Sequence, residues 1–552
     1  MKKIYKNGLF MLAASALVMS CADYNVTDNF KADPDPSFVE PYKDLKPVKS
    51  YIDRDKYTNM SIGATLKVSD FNKQELAHAA AVTNFDNIYF GTTLMSGSII
   101  NEKGVMNFLD MMDLLEHAEE IQTEIYGSPI FANANQADGW LATLTAPIEI
   151  PVDFVEGKTV NFNEMTKFTG TVDKGSASIT KYDNQNTLKI NTQANVRIIE
   201  DFEVDPLATY TTTFWAKADK DATFNITFSG NKANGTASSD GKWAIKANKW
   251  TKVVVEAKSA EDVTSGYLRI ENTRTTPLYI QKVQVGYYPD NHRPQTEKEL
   301  TDTIHYAINA WCDGLMKINE GRIKTFDLID ESIDTKKTLA DGHYDLKHST
   351  EKIFWQDILG SDNYAPAVAA QVRAAYQKHG GDPAELRFFI SENELDNTKK
   401  FESLMYWINV WDQNGANISG INAKLDLVYS EDEAKQAKNV TAINTLLDNL
   451  AKTGKLIRLS NFDIKYINAE GENVLADDIT PEQRQKLADY YGYIIKTYMA
   501  KIPNDKQAGI CKGNLADTSH PVGLWSIETN ATTRDWVRNA TYKAFCDALS
   551  GK

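Results

Sequence analysis

Ile323-Lys324-Thr325-Phe326-Asp327-Leu328-Ile329-Asp330-Glu331-Ser332 is a short apolar run that ends in two adjacent carboxylates. Residues 323–329 read as a strand, preceded by helical periodicity over 297–318 and followed by helical periodicity over 366–377. The alternation extends in both directions. Downstream come a strand over 386–390, a helix over 398–412, a strand over 421–427 and a helix over 433–452. A strand over 456–464, a helix over 481–500, a weak strand near Ala508 and a closing helix over 534–549 complete the series. Upstream, strand-like 60–66 and 87–90 alternate with helical 73–82 and 106–118. The two stretches together give about eight βα units, which favours a closed (β/α)8 TIM barrel over an open doubly wound sheet.

Residues 148–289 break this rhythm. Alternating runs at 211–216, 222–228, 253–257, 267–270 and 278–285 are separated by Gly, Asn, Asp and Ser clusters, the pattern of short antiparallel strands. We expect an all-β, jelly-roll-like sandwich inserted into a barrel loop, where the loop ends are already held close. The organisation is then an export signal at 1–20, a tether at 21–49, barrel at 50–147, insert at 148–289 and barrel again at 290–552.

The N-terminus combines Lys2, Lys3 and Lys6 with an apolar run from Gly8 to Met19, shorter than the roughly 20 residues that cross a bilayer. Val18-Met19-Ser20-Cys21 resembles a bacterial lipobox, with Cys21 as the acylated residue; a plain secretory peptide is the alternative. The lipidated reading implies a membrane partner through the anchor, at the bacterial outer membrane on its outer or periplasmic face. Cys312, Cys511 and Cys546 remain, an odd number without close spacing, so buried thiols are expected rather than a disulfide framework or a zinc site. No metal and no cofactor is expected. A formal charge of −15 argues against a nucleic-acid partner, which needs clustered Lys and Arg.

The opening stretch resembles the fourth strand of family 10 glycoside hydrolases, whose W-D-V-V-N-E-A ends in the general acid; Glu331 falls on that acid. Two further stretches match in order. Residues 382–395 resemble D-P-x-A-x-L-F-I-N-D-Y-N-L, and residues 453–464 resemble T-G-x-P-I-x-I-T-E-L-D-I. Residues 104–108 and 139–141 fit upstream. The insert resembles family 4 and 22 carbohydrate-binding modules at Phe214-Trp215-Ala216-Lys217-Ala218 and Trp250-Thr251-Lys252-Val253, an architecture the resemblance associates with xylanases of gut Bacteroidetes.

The resemblance implies endo-β-1,4-xylanase chemistry, which needs two carboxyl groups about 5 Å apart, one to protonate the leaving oxygen and one to attack the anomeric carbon. Here the nucleophile position is Asn461, and an amide neither attacks nor carries charge. The sugar-positioning N-E-M-K aligns with residues 92–95, H-T-L-V-W-H with 129–134, Q-x-H with Lys424-Leu425-Asp426, and W-G with Lys512-Gly513. The residues therefore lean against hydrolysis. Asp330, beside Glu331, is expected to raise its pKa by like-charge repulsion. Asp330, Trp140, Trp243 and Trp525 are the carbohydrate-binding candidates, with Tyr182 behind them; Trp215 and Trp250 are expected in the insert's core. The leading reading is a lipoprotein that binds xylan or a related β-1,4-glycan without cleaving it, through insert, cleft or both. The alternatives are an active xylanase with a non-standard site and a structural component of a glycan-import complex.

Overall fold

The computed structural model describes residues 42–204, 209–229, 243–258, 265–273, 275–289, 291–529 and 534–552. The expected export peptide, Cys21 and most of the tether, residues 21–41, lie outside the described residues. The chain forms two compact units, one from Met1–Thr145 with Thr296–Lys552, the other from Ala146–Gln295.

The first unit is the barrel. Its eight strands are Ser61–Thr65, Asn87–Tyr89, Glu124–Tyr126, Thr325–Asp330, Arg387–Asn393, Gly420–Lys424, Leu456–Ser460 and Gln507–Lys512. All neighbours pair in parallel, and Ser61–Thr65 pairs with Gln507–Lys512 as well as with Asn87–Tyr89. The ring closes between the third and fourth strands: Gly127 bridges Phe326, the Gly127 amide donates to Thr325 O at 2.8 Å, and Ile130 N donates to Asp327 O at 2.9 Å. Phe131–Ala132 continues the third strand along the fourth. Gly509 makes the other seam. It sits at φ 126°, and a Cβ there would fall 1.7 Å from Ser61 O, so only glycine lets the last strand meet the first.

The central strands are buried almost end to end, as expected where both faces of a parallel strand are covered. Helix Glu297–Asn319 starts in a capping box of Thr296 and Glu299 and lays Trp311 over the third strand, where its Nε1 donates to Ile130 O at 3.0 Å. Helix Pro481–Lys501 uses the same device, Thr480 with Gln483 and Pro481 in the first turn. Inside the ring lies a polar layer. Tyr126 OH donates to Asp327 Oδ1 at 2.7 Å, Asn422 Nδ2 donates to Asp327 Oδ2 at 2.9 Å, and the Arg458 guanidinium lies 3.8 Å from the Tyr126 ring centre.

The sequence expectations differ from the structure at several ends. The third strand, as short as the second, opens on the exposed Glu124 and buries only Tyr126, so it shows no apolar run. The strands expected to reach 427 and 464 stop at Lys424 and Ser460, the second because Asn461 turns left-handed. Residues 534–538 form a strand paired with Trp525–Thr529, and the closing helix starts only at Ala540. The tether is also shorter than expected: Val48 is fully buried, and Arg538 Nη1 donates to the carbonyls of Tyr42, Lys43 and Leu45. Cys312, Cys511 and Cys546 are unpaired and buried.

The second unit is a sandwich of antiparallel sheets. One sheet orders Trp243–Ile245, Ala222–Ser229, Ser265–Asn272, Asn195–Glu203 and Thr171–Lys174. The other orders Thr251–Lys258, Thr209–Lys217, Leu278–Tyr288, Gln185–Ile190 and Ala177–Tyr182, with Val155–Val160 also on Leu278–Tyr288. Alternate residues such as Phe214, Val283, Phe224 and Ile270 fill the space between. At its base Ile148–Glu149 pairs with His292–Arg293, so the entering and leaving chains form one short ribbon.

Candidate functional site

The C-terminal ends of the barrel strands bring the expected residues together. Strand Thr325–Asp330 ends in Asp330, and Glu331 follows with its backbone amide donating to Ser391 O at 2.8 Å. Glu331, Glu394 and Asn461, each just past the end of a strand, all take left-handed backbones, with φ of 45°, 51° and 53°. Each such turn costs a non-glycine residue on the order of 1–2 kcal/mol, and strain of this kind gathers at functional ends of folds. Asn461 accommodates it best of the three, because a short polar side chain can bond locally. Its Nδ2 donates to Leu425 O at 2.8 Å, tying the seventh strand end to the sixth.

Lys424, two strands round the ring from Glu331, decides the electrostatics. Its Nζ lies 2.5 Å from Glu331 Oε1 and 3.1 and 3.3 Å from the two Asp330 oxygens. Asp330 Oδ1 also accepts from Ser391 Oγ at 2.6 Å. Burial pushes the Glu331 carboxyl up, but the hydrogen bond and charge of Lys424, with the charges of Lys347 and Lys400, outweigh it and hold the group below the usual glutamate range. Burial likewise pushes Lys424 down, and Asp330 and Glu331 more than reverse it. The expected upward shift from Asp330 is therefore overturned. The neighbour in sequence is outcompeted by a cation that only the closed ring delivers. A general acid must arrive protonated, and the Lys424 ion pair favours the carboxylate form of Glu331.

The remaining mouth is lysine-clamped in the same manner. Lys512, fully buried, pairs with Asp463, which also accepts from Asn514 N at 3.1 Å and Asn514 Nδ2 at 2.5 Å. Burial lowers the Lys512 pKa, though Asp463 opposes it. Lys400 and Glu392 form a buried pair at 2.9 Å, and Glu392 Oε2 accepts from Ile333 N at 3.2 Å. Burial raises the Glu392 carboxyl despite Lys400. Where a sugar-binding shell was sought, Leu94 and Met95 are buried after the second strand, and Ile130, Phe131 and Ala132 are buried along the third. Among the described residues no group of His, Cys, Asp and Glu is arranged to hold a metal ion.

The tryptophan candidates separate sharply. Trp140 is a core residue at 6% exposure, its Nε1 pressed on the turn at Gly104, where an added Cβ would come within 2.5 Å. Trp525 is also buried, its ring 5.3 Å from Tyr542 and 6.0 Å from Trp536. Neither can stack on a sugar as they stand, because periodicity alone does not tell a packed indole from an exposed one. Trp243 opens a short strand, and its side chain lies outside the described residues. Trp215, expected in the core, is instead 42% exposed and faces out of the sandwich between the inward Phe214 and Ala216. Trp250 is half-buried, donating from Nε1 to Asp183 Oδ2 at 2.9 Å. Tyr182 stacks on Tyr279 with ring centres 3.7 Å apart and hydrogen-bonds Asp219 through its hydroxyl. Sequence reasoning missed Lys400 and Glu392, and it read Lys424 only as a lost glutamine. The expected strand runs on to 427 and places Lys424 inside it, so no sequence signal marks it as a residue of the mouth.

No curated protein sequence matches the chain. Solved structures share its fold at low identity. A GH10 endoxylanase retrieved from a sugarcane soil metagenome is 11% identical, with 92% of this chain and all of that chain aligned at a TM-score of 0.50. Xylanase B from Clostridium stercorarium F9 is 10% identical, with 91% and 100% aligned and the same TM-score of 0.50. The region 286–523, which carries the last five strands together with Glu331, Lys424, Asn461 and Lys512, matches the family model described as glycosyl hydrolase family 10.

Proposed function

We propose that this protein is a lipid-anchored glycan-binding protein whose xylanase-like barrel takes xylan or a related β-1,4-glycan without hydrolysing it. The observation that carries this reading is the Lys424 contact to Glu331 and Asp330: it keeps the proton donor ionised, while the nucleophile position holds an amide. A glycan can still bind through hydroxyl contacts along the cleft, since binding needs no proton transfer. The exposed Trp215 of the sandwich offers a second surface for a pyranose face. Cys21 supplies the anchor in this reading, at the bacterial outer membrane.

Reducing-sugar release and native-gel retardation on xylan test the proposal together. We expect retardation and no release. Sustained release that Glu331→Gln abolishes would establish a non-standard xylanase instead. Absence of retardation on xylan, mixed-linkage glucan and cellulose alike would remove the glycan and leave a structural role in an import complex. Radiolabelled palmitate incorporation, lost in Cys21→Ser, tests the anchor.

A further inference from the structure

Among the described residues, the longest strand paired on one side only is Thr251–Lys258, at the end of a sandwich sheet. It pairs residue for residue with the neighbouring strand, from Thr209 opposite Lys258 to Ala216 opposite Thr251, with no bulge, and it contains neither Pro nor Gly. Natural sheets blunt an open edge by keeping it short, bulged or proline-bearing. The sandwich does so elsewhere: Trp243–Ile245 and Thr171–Lys174 are short, and Val155–Val160 shifts register against its partner. Thr251–Lys258 uses none of these devices and leaves a regular row of backbone N–H and C=O groups along its outer side.

Its side chains are ordered as well. Val253 and Val255 are buried in the sandwich core, so Lys252, Val254 and Glu256 share the outer face, with Val254 40% exposed. Lys252 and Glu256 lie four residues apart, about 13 Å along a strand, too far to meet within one chain. A two-fold axis through Val254, perpendicular to the sheet, changes that. It sets Lys252 of each chain opposite Glu256 of the other, and Val254 opposite Val254, at the roughly 5 Å Cβ spacing of directly opposed residues. Moving the axis one residue either way sets Lys252 opposite Val254 or Lys258 and opposes no unlike charges. Among the other open edges, Ala177–Tyr182 carries Lys181 but no acid and has no such self-complementary register.

We propose that this edge pairs with the same edge of a second copy of the chain, antiparallel and centred on Val254, so that two sandwiches share one continuous sheet. The open backbone groups of each strand then find partners in the other, as when an extended segment adds to a sheet edge. The two Lys252–Glu256 pairs fix the register, which backbone pairing alone leaves free to slip. Pairing of one strand covers less surface than a standard interface, so the association is reversible.

Sedimentation equilibrium of the full chain, carrying Cys21→Ser so that no lipid drives association, reads the pairing directly. We expect a concentration-dependent equilibrium between monomer and dimer. Lys252→Glu or Glu256→Lys alone opposes like charges at two points and should weaken the dimer about tenfold. The two together exchange the charges and should bring association back to within about twofold of the parent. Val254→Cys gives a second reading, because its two copies meet on the axis. Mild oxidation should link that variant into a disulfide dimer, since Cys312, Cys511 and Cys546 are buried, and adding Lys252→Glu should suppress the link. Unchanged urea midpoints at these exposed positions separate lost pairing from lost folding. A monomer at every concentration, with no crosslink through Cys at 254, would overturn the proposal. So would a dimer indifferent to the single exchanges, or one weakened by each and not rescued by both together.

Discussion

Asp327 and Glu331 stand four residues apart on one chain segment, yet opposite influences govern them. Asp327 is inside the barrel, where burial raises its carboxyl to about 6 against the hydrogen bonds of Tyr126 and Asn422. Glu331 is at the mouth, where burial is smaller and Lys424 pulls its pKa down. The interior layer holds its polar groups mainly by hydrogen bonds from neighbours on the ring. The mouth holds them by lysines: Lys424 on Glu331 and Asp330, Lys512 on Asp463, Lys400 on Glu392. The difference shows that the fold-bearing end and the chemistry-bearing end of a barrel can change independently. Here the mouth is organised by fixed ion pairs.

The comparison breaks first at Lys400. With both partners nearly solvent-free, Lys400→Met leaves Glu392 buried and unpaired, and urea unfolding should show a loss of about 3–5 kcal/mol. A loss below about 1 kcal/mol, the level of surface pairs, would mean that the mouth is wetter than described. Trp140→Ala should cost about 3 kcal/mol as a cavity in the core, with glycan retardation unchanged. Weakened retardation at full stability would return Trp140 to the list of sugar contacts.

Lys424→Gln tests the clamp itself, at a smaller stability cost of about 1 kcal/mol because the pair is partly solvated. A carboxyl-labelled NMR titration should show the Glu331 pKa rising once burial is opposed only by the charges of Lys347 and Lys400. In the parent protein Glu331 is lowered, so its contribution is present above pH 4.5 and lost as pH falls through the lower folded value. In Lys424→Gln that acid-limb loss should flatten. Asn461→Glu alone should still release no sugar from xylan, since the donor stays ionised; turnover in that single variant would show that Lys424 does not control it. The smallest effect belongs to Trp215→Ala, which should change stability by no more than about 0.5 kcal/mol while weakening xylan retardation if the sandwich contributes.

The barrel was legible because its strands and helices repeat with distinct periods, and Glu331 because its apolar run ends in Asp330 and Glu331; Asn461 fell inside the strand expected over 456–464, which the structure ends at Ser460. The third strand was not legible, because it opens on the exposed Glu124 and buries only Tyr126. Partnerships across the ring were invisible for another reason. Lys424 and Glu331 are brought together only by the order of parallel strands, which pairs the ends of elements far apart in sequence. Burial of Trp140 and exposure of Trp215 depend on which face of an element meets a neighbour, and composition does not report that.

The seam at Gly509 and the ribbon at the base of the sandwich together set a timetable for synthesis. The first three strands pair with one another early, but Ser61–Thr65 waits for Gln507–Lys512 and the third strand waits for Thr325–Asp330 before the ring can close. The sandwich needs nothing outside Ala146–Gln295 for its own core and can fold as it emerges. Once its ribbon zips, Ile150 N reaches Asn291 O at 2.6 Å, and the newborn chain on either side is brought to one point. An insertion of some 150 residues then delays the barrel little more than a short loop would, because the costly closure has been completed in advance.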